Sequence, residues 1–145
     1  DGGKPFPVDH PLGAAFLVRR EAIAQVGLLD EGLRIYCEEI DWAMRIKRAG
    51  WGIYCVPEAV IVHHEAQSTR QVRAEMFVAL WRSRFYLFDK HYSPLFRWLV
   101  RRIVRLGVRA EMRRARRAYQ RGEISVEELE KRLWAYEQVE RLAKG

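Results

Sequence analysis

Cysteine is scarce in this sequence, and long apolar runs are missing from it. The two cysteines, Cys37 and Cys55, lie far apart without the CxxC or Cys/His spacing of a zinc site, so neither a disulfide framework nor a structural zinc is indicated. No apolar run approaches the roughly 20 residues that a membrane-spanning helix needs, and residues 1–7 lack the pattern of a signal peptide. We therefore expect a reduced globular domain whose core draws on the 49% hydrophobic residues.

Acidic residues are almost missing from one stretch of the chain, and this explains the net charge of +7. Residues 97–121 contain ten arginines and a single acidic residue, Glu111. Basic and acidic side chains balance in residues 1–96, and residues 122–145 are slightly acidic. The basic excess therefore belongs to one segment, which needs an explanation of its own.

The first part of the chain has the pattern of an α/β fold. Gly27 and Gly50 follow amphipathic segments and predict helix ends. The prolines near the start predict an extended or looped segment. The pattern predicts strand, helix, helix, strand and strand over residues 13–18, 20–26, 38–49, 51–56 and 60–63.

Helical spacing dominates the rest of the chain. One helix is predicted over residues 70–92 and ends at Ser93-Pro94, a second covers about 95–119, and Ser125 to Glu128 form a capping box that opens a last helix to about residue 143. The sequence thus predicts two domains. Residues 1–93 form the α/β part, and residues 94–145 form an amphipathic helical hairpin.

Three acidic residues, Glu38, Glu39 and Asp41, lie at a predicted helix start. Acidic residues are ordinary there, because the free backbone amides stabilise negative charge. The functional interpretation is that one carboxylate takes the proton from a sugar hydroxyl, with His63 downstream binding a divalent metal or a phosphate. The residue types alone leave both interpretations open.

A series of short segments occurs in order between about residue 8 and residue 92. The segments are GAAFLVRREA at 13–22, VGLLDE at 26–31, EEIDWAMR at 38–45, AGW at 49–51, VPEA at 56–59 and VH at 62–63, with ST at 68–69. Each is weak evidence by itself, but the ordered series is specific. It resembles the C-terminal half of bacterial family 2 glycosyltransferases of the rhamnosyltransferase-like group.

This resemblance implies a GT-A fold and inverting transfer from a nucleotide-activated sugar. In that family the Asp of a Glu-Asp pair beside the acceptor acts as general base. Glu39 occupies that position here, Asp41 is the alternative base, and Glu38 and Trp42 belong to the same acceptor-binding motif. A glutamate carboxylate extends roughly one C–C bond length further than an aspartate, and catalysis tolerates such displacement poorly.

Other matched positions carry further implications. Gly13, Ala14 and Ala15 match the segment that lines the donor and acceptor pocket, where small side chains leave room for a sugar. Asp30 matches an aspartate that either shapes the acceptor loop or caps its turn. His63 matches the histidine that approaches the metal and the diphosphate in GT-A enzymes.

The nucleotide-binding half of the family, with its Asp-x-Asp metal motif, lies before the matched segment, and neither occurs in these 145 residues. The resemblance therefore implies that the chain is part of a larger or split protein and that the isolated chain is inactive and holds no cofactor. The parent is expected to use Mg or Mn, a nucleotide-sugar donor and a saccharide or lipid-linked acceptor in cell-envelope polysaccharide synthesis. The alternative is a non-catalytic membrane-associated or oligomerising module that keeps the fold.

The arginine-rich segment 96–117 is amphipathic on a helical wheel. One interpretation is a helix on an anionic membrane surface with Trp98 at headgroup level, which would place a cytoplasmic protein peripherally at the inner face of the cell membrane. The other is a solvated basic face over a core stripe, or one paired with the acidic last helix. A nucleic-acid partner is not expected, because no recognition motif accompanies the charge. The apolar side of the wheel contains Phe96, Leu99, Val100, Ile103, Val104, Leu106 and Ala110, and the basic side contains Arg97, Arg101, Arg102, Arg105, Arg109 and Arg113.

The last helix has an apolar stripe of its own. Its residues recur at spacings of three or four, which predicts one buried face. That face either packs on the preceding helix or joins copies of the chain in a homo-oligomer. The stripe consists of Leu129, Leu133, Tyr136, Val139 and Leu142.

Overall fold

The chain folds into two compact units in a computed structural model, which describes residues 3–33, 35–63 and 73–145. The described residues up to 63 form the first unit, and those from 73 form the second. The described chain is mostly helical with a small two-stranded sheet. Its elements are β1 (Phe6–Pro7), α1 (Arg20–Val26), α2 (Glu38–Arg48), β2 (Tyr54–Cys55), α3 (Arg73–His91), α4 (Pro94–Gln120) and α5 (Val126–Leu142).

The small sheet ties the start of the chain to the segment after α2. β1 and β2 are antiparallel, with Phe6 opposite Cys55 and Pro7 opposite Tyr54. The Val8 amide extends this pairing by donating to the Ile53 carbonyl at 3.0 Å. These bonds therefore join two segments of the first unit that are distant in the sequence.

The core of the first unit forms on one face of α2. Trp42, Ala43 and Ile46 of α2 are buried there with Ile53. Gly27 and Gly50 end α1 and α2 with φ values of +79° and +89°, which residues other than glycine rarely adopt. Packed around this core are Val8, Phe16, Val18, Ile23, Val26 and Trp51.

The second unit is a three-helix arrangement in which α5 packs along both α3 and α4. Two serine caps define its helix starts: Ser93 Oγ accepts from the Phe96 amide at 3.3 Å, and Ser125 Oγ accepts from the Glu128 amide at 3.2 Å. Leu133, Tyr136, Val139 and Leu142 of the apolar stripe of the last helix belong to or pack against the core, as packing on the preceding helix requires. The buried core residues are Val78, Phe85, Val104, Val108, Met112, Ala135, Val139 and Ala143.

Arg101 links all three helices of the second unit. Its guanidinium donates to the Asp89 carboxylate on α3 at 2.7 Å and to the Leu142 carbonyl at the end of α5 at 2.8 Å. The same group lies over the Phe85 ring, 4.8 Å from its centroid. A carbonyl of the last helical turn needs such a donor, because it has no partner within its own helix.

The structure corrects the predicted strands. Residues 13–18 form a turn followed by extended chain, the strand predicted over 51–56 is reduced to Tyr54–Cys55, and residues 60–63 form no strand. An extended segment becomes a strand only when a neighbouring segment supplies hydrogen-bond partners. Apolar runs in the sequence cannot reveal whether that neighbour exists.

The helix predictions are confirmed to within one residue at each described end. The start predicted at residue 70 lies outside the described residues. α3 packs with α5 in the second unit, whereas the sequence-based division groups it with residues 1–93. Whether the acceptor-binding half extends to residue 93 stays a prediction.

Replacing Met112 by alanine should destabilise the second unit by about 2–5 kcal/mol, because this side chain is buried between α4 and its neighbours. Urea unfolding measured by circular dichroism checks the change. The matched control is Leu106→Ala on the same helix, which removes a side chain that is 67% exposed. It should cost less than about 0.5 kcal/mol, and equal losses in the two variants would contradict the assigned core.

Candidate functional site

The candidate site surrounds the start of α2, where two residues have left-handed backbone conformations. Tyr36 has a φ of 70° and Cys37 a φ of 69°. Such conformations are uncommon outside glycine, cost on the order of 1–3 kcal/mol each and cluster at functional sites. Glu38 and Glu39 follow this strained corner directly. The sequence alone did not show that the acidic cluster begins at such a corner.

Glu39 lies against Gly13 beside this corner. A β-carbon placed on Gly13 would lie 3.6 Å from Glu39 Cβ and 3.7 Å from Glu39 Cδ. Gly13, Ala14 and Ala15 are exposed in a turn in which the Ala15 amide donates to the Leu12 carbonyl at 3.4 Å. The structure therefore brings the position of the predicted base together with the predicted small-residue segment.

Asp41 has a different environment from Glu39. Its side chain is fully buried, and its Oδ2 accepts from Arg45 Nε at 2.8 Å. The same guanidinium donates to the Val26 and Leu28 carbonyls, on either side of the glycine that ends α1. Asp41 and Arg45 thus form a clamp that joins α2 to the end of α1.

Arg45 was not among the predicted site residues. Its signal in the sequence is the spacing of four residues from Asp41, which places the two side chains on the same side of a helix. That spacing is common on solvent-exposed helices. Only the burial of Asp41 shows that this pair has a structural task.

Trp42 contributes to the same clamp region from the core. Its indole N–H donates to the Gly27 carbonyl at 2.9 Å, and its ring meets Phe16 edge to face with centroids 5.4 Å apart. The side chain is about 9% exposed. In this position Trp42 supports the turn after α1, and its predicted contact with an acceptor stays a prediction.

An open depression of about 470 Å³ lies beside the acidic cluster. Its lining consists of Leu29, Asp30, Glu31, Leu33 and Glu38. Asp30 Oδ1 accepts from the Gly32 amide at 2.8 Å and so caps the turn that forms one wall. Glu38 Oε2 is buried, and the described residues provide no hydrogen-bond donor for it.

His63 lies at the exposed end of the described part of the first unit. Within residues 3–33, 35–63 and 73–145, no group of three or more His, Cys, Asp or Glu side chains is arranged to hold a metal ion. His64, Ser68 and Thr69 lie outside the described residues. The described donors thus do not form a metal site by themselves.

Known proteins similar to this chain are rhamnosyltransferases. Over 120 residues it is 38% identical to the N-acetylglucosaminyl-diphospho-decaprenol L-rhamnosyltransferase of two Mycobacterium tuberculosis strains, covering 77% of this chain and 39% of the relative. It is 30% identical over 95 residues to rhamnosyltransferase WbbL of Escherichia coli, covering 66% of this chain and 32% of that protein. By sequence, the chain belongs to the rhamnosyltransferase-like glycosyltransferases.

This rhamnosyltransferase-like relationship confirms the resemblance that the ordered segments indicate. The chain spans about 39% of the length of the Mycobacterium relatives it matches. No protein-family model and no solved structure matches the chain. The relationship therefore rests on sequence similarity.

Replacing Asp41 by alanine should destabilise the first unit by about 3–5 kcal/mol, because it leaves the Arg45 guanidinium without its buried carboxylate. Urea unfolding followed through the NMR signal of the Trp42 indole N–H reports on this unit. The control is Asp9→Ala, which breaks an exposed ion pair with Lys47. Exposed pairs contribute little, so a comparable loss in both variants would refute the clamp.

The ion pair between Asp9 and Lys47 can also be tested by titrating the Asp9 carboxyl. The hydrogen bond and the positive charge of Lys47 lower the pKa of the Asp9 carboxyl. A lowered folded-state pKa gives stability that is present above the unfolded value and lost as the pH falls through the folded value. NMR titration should therefore find the pKa of Asp9 below its ordinary value, and Lys47→Met should return it toward that value.

Proposed function

We propose that the chain supplies the acceptor-binding and catalytic-base half of an inverting, GT-A-like glycosyltransferase, with Glu39 as the base. The observation that carries this proposal is the position of Glu39, a partly exposed carboxylate beside Gly13 at a strained helix start. The relationship to rhamnosyltransferases provides the reaction class. The substrates and the activity of the whole protein are part of the proposal.

Glu39 is preferred over Asp41 because of access. A general base must come within about 2.6–3.2 Å of the proton it abstracts, directly or through one water. Asp41 is fully buried, and Arg45 holds its Oδ2. In the proposed reaction Asp41 is a positioning residue, and its loss would act through the geometry of α2.

The proposed step is a single displacement. Glu39 takes the proton of an acceptor hydroxyl while that oxygen forms its bond to the anomeric carbon of the donor sugar. The bond from that carbon to the nucleotide diphosphate breaks on the opposite face, and its electron pair leaves with the diphosphate. The configuration at the anomeric carbon is therefore inverted, and the proton passes from Glu39 to solvent.

The turn of small residues and the depression are the proposed acceptor contacts. Gly13, Ala14 and Ala15 leave space beside Glu39, and Glu38 lines the neighbouring depression. Asp30 shapes this wall through its turn. The Mycobacterium relative is named for an N-acetylglucosaminyl-diphospho-decaprenol substrate, so a lipid-linked saccharide is the acceptor class that we propose for cell-envelope polysaccharide synthesis.

The donor is proposed to bind mainly to a nucleotide-binding domain outside these residues. Apolar side chains of the first unit support such a partner domain, since large exposed apolar areas mark interaction surfaces. Leu17, Leu28, Val60, Ile61 and Val62 are all more than 60% exposed. A divalent metal bound with that domain would supply charge neutralisation for the leaving diphosphate, and His63 is the residue of this chain proposed to lie near it.

Replacing Glu39 by glutamine in the full-length polypeptide should lower kcat about 10²- to 10⁴-fold, because the amide keeps the size of the side chain but cannot accept the proton. The assay measures transfer of rhamnose from its nucleotide-activated form to a polyprenyl-diphosphate-linked N-acetylglucosamine. The acceptor KM should change little. Glu39→Asp keeps a carboxylate that can accept the proton and should therefore retain more activity than Glu39→Gln.

The matched control for this experiment is Glu21→Gln, which makes the same chemical change at an exposed position in the first turn of α1. Its kcat should equal that of the wild type. Wild-type kcat in Glu39→Gln would exclude Glu39 as the base. A wild-type polypeptide that transfers no sugar would instead favour the non-catalytic module.

A further inference from the structure

The packing of α4 leaves an apolar face uncovered. The face that meets the core consists of Val104, Val108, Met112 and Ala115. A second set, here named the outer face, consists of Leu95, Leu99, Ile103 and Leu106. At 100° per residue the two sets lie on roughly opposite sides of the helix. Of the predicted apolar stripe, Val104 lies in the core, whereas Leu99, Ile103 and Leu106 lie at the surface. The other core-face residues were not part of that stripe.

The outer face is strongly exposed. Leu95 and Leu106 are each 67% exposed, Ile103 is 66% exposed and Leu99 is 44% exposed. Four large aliphatic side chains in one line along a helix mark a surface with a binding partner. Within the described residues, no helix combines the length and the apolar composition that a membrane span requires.

The charges beside the outer face are positive. Arg102 and Arg113 are exposed at its border, and the Arg102 guanidinium lies over the exposed Trp98 ring, 5.2 Å from its centroid. Glu111, the single acidic residue of segment 97–121, is paired with Arg114. A partner that fits this surface must combine an apolar layer with negative charge.

Other arginines of α4 have tasks inside the second unit. Arg101 binds Asp89 and the end of α5, and Arg109 pairs with Glu140 at 2.6 Å. The predicted basic side is therefore divided as well. Part of it stabilises the three-helix unit, and the part around Arg102 and Arg113 borders the apolar surface.

We propose that the outer face of α4 docks on an anionic lipid bilayer. The aliphatic side chains would enter the boundary between headgroups and acyl chains, Trp98 would lie at headgroup level, and Arg102 and Arg113 would reach lipid phosphates. Two copies meeting through this face would bring like charges together, which is unfavourable. Nucleic acid would leave the aliphatic residues uncovered. The inference rests on the second unit alone and is independent of the proposed chemistry.

The test is flotation of the 145-residue chain with phosphatidylcholine vesicles and with vesicles that also contain phosphatidylglycerol. The chain should float with the anionic vesicles, much less with the neutral ones, and dissociate at about 1 M salt, where charges are screened beyond about 3 Å. The double variant Ile103→Ser/Leu106→Ser should lower the partition coefficient at least about tenfold. Arg102→Gln should lower it about fivefold.

Matched controls lie on α5, where Val126 and Arg132 are also exposed. Val126→Ser and Arg132→Gln should bind as the wild type does, with circular dichroism confirming that every variant is folded. The proposal would be overturned if the chain bound neutral and anionic vesicles equally or bound neither. It would also be overturned if Ile103→Ser/Leu106→Ser bound as well as the wild type. Self-association abolished by that double variant, without vesicle binding, would assign the face to a second copy and would equally overturn it.

Discussion

The buried ion pair between Asp41 and Arg45 is the interaction on which the first unit depends. Asp41 holds the arginine at 2.8 Å, and the arginine in turn binds the carbonyls of Val26 and Leu28. A buried charge is tolerated only when its hydrogen-bonding groups are satisfied. The pair therefore fixes α2 against the end of α1.

This clamp separates two carboxylates that look equivalent in the sequence. Asp41 is withdrawn into the core as a structural partner, whereas Glu39 stays partly exposed beside Gly13. Within one acidic cluster, Asp41 is thus suited to a structural role and Glu39 to a catalytic role. The proposed glycosyl transfer depends on this division, because a base that is already paired in the core cannot reach a hydroxyl.

In the second unit, a single helix serves two surfaces. Val104, Val108 and Met112 bind α4 to its neighbours, and Arg101 completes the end of α5. The opposite side keeps large apolar residues at the surface with arginines around them. If the acceptor is lipid-linked, as proposed, a helix that rests on the bilayer would keep the protein close to its substrate.

Local signals predicted much of this structure. Gly27, Gly50 and the serine caps at Ser93 and Ser125 act within a few residues of where they occur, so the helix ends could be found from the sequence. The strands could not, because apolar segments such as 13–18 and 60–63 form strands only when another part of the chain supplies hydrogen-bond partners. The rhamnosyltransferase relationship was also readable, since it rests on an ordered series of segments.

Distinctions between similar residues required the three-dimensional arrangement. Leu106 and Val108 are both apolar residues of one helix, yet Val108 is in the core and Leu106 is exposed, because α3 and α5 cover one side of α4. Glu39 and Asp41 are both carboxylates of one helical turn, and the burial of Asp41 and its pairing with Arg45 distinguish them. A helical wheel shows which residues share a face of a helix, but it does not show which face the neighbouring helices cover.

The most direct test of the central claim is a crystal structure of the full-length polypeptide with its acceptor bound. The account predicts that the acceptor hydroxyl lies about 2.6–3.2 Å from the Glu39 carboxylate, or one water away from it, with Asp41 still paired to Arg45. A reacting hydroxyl positioned against another carboxylate, with Glu39 beyond the reach of a bridging water, would contradict the account.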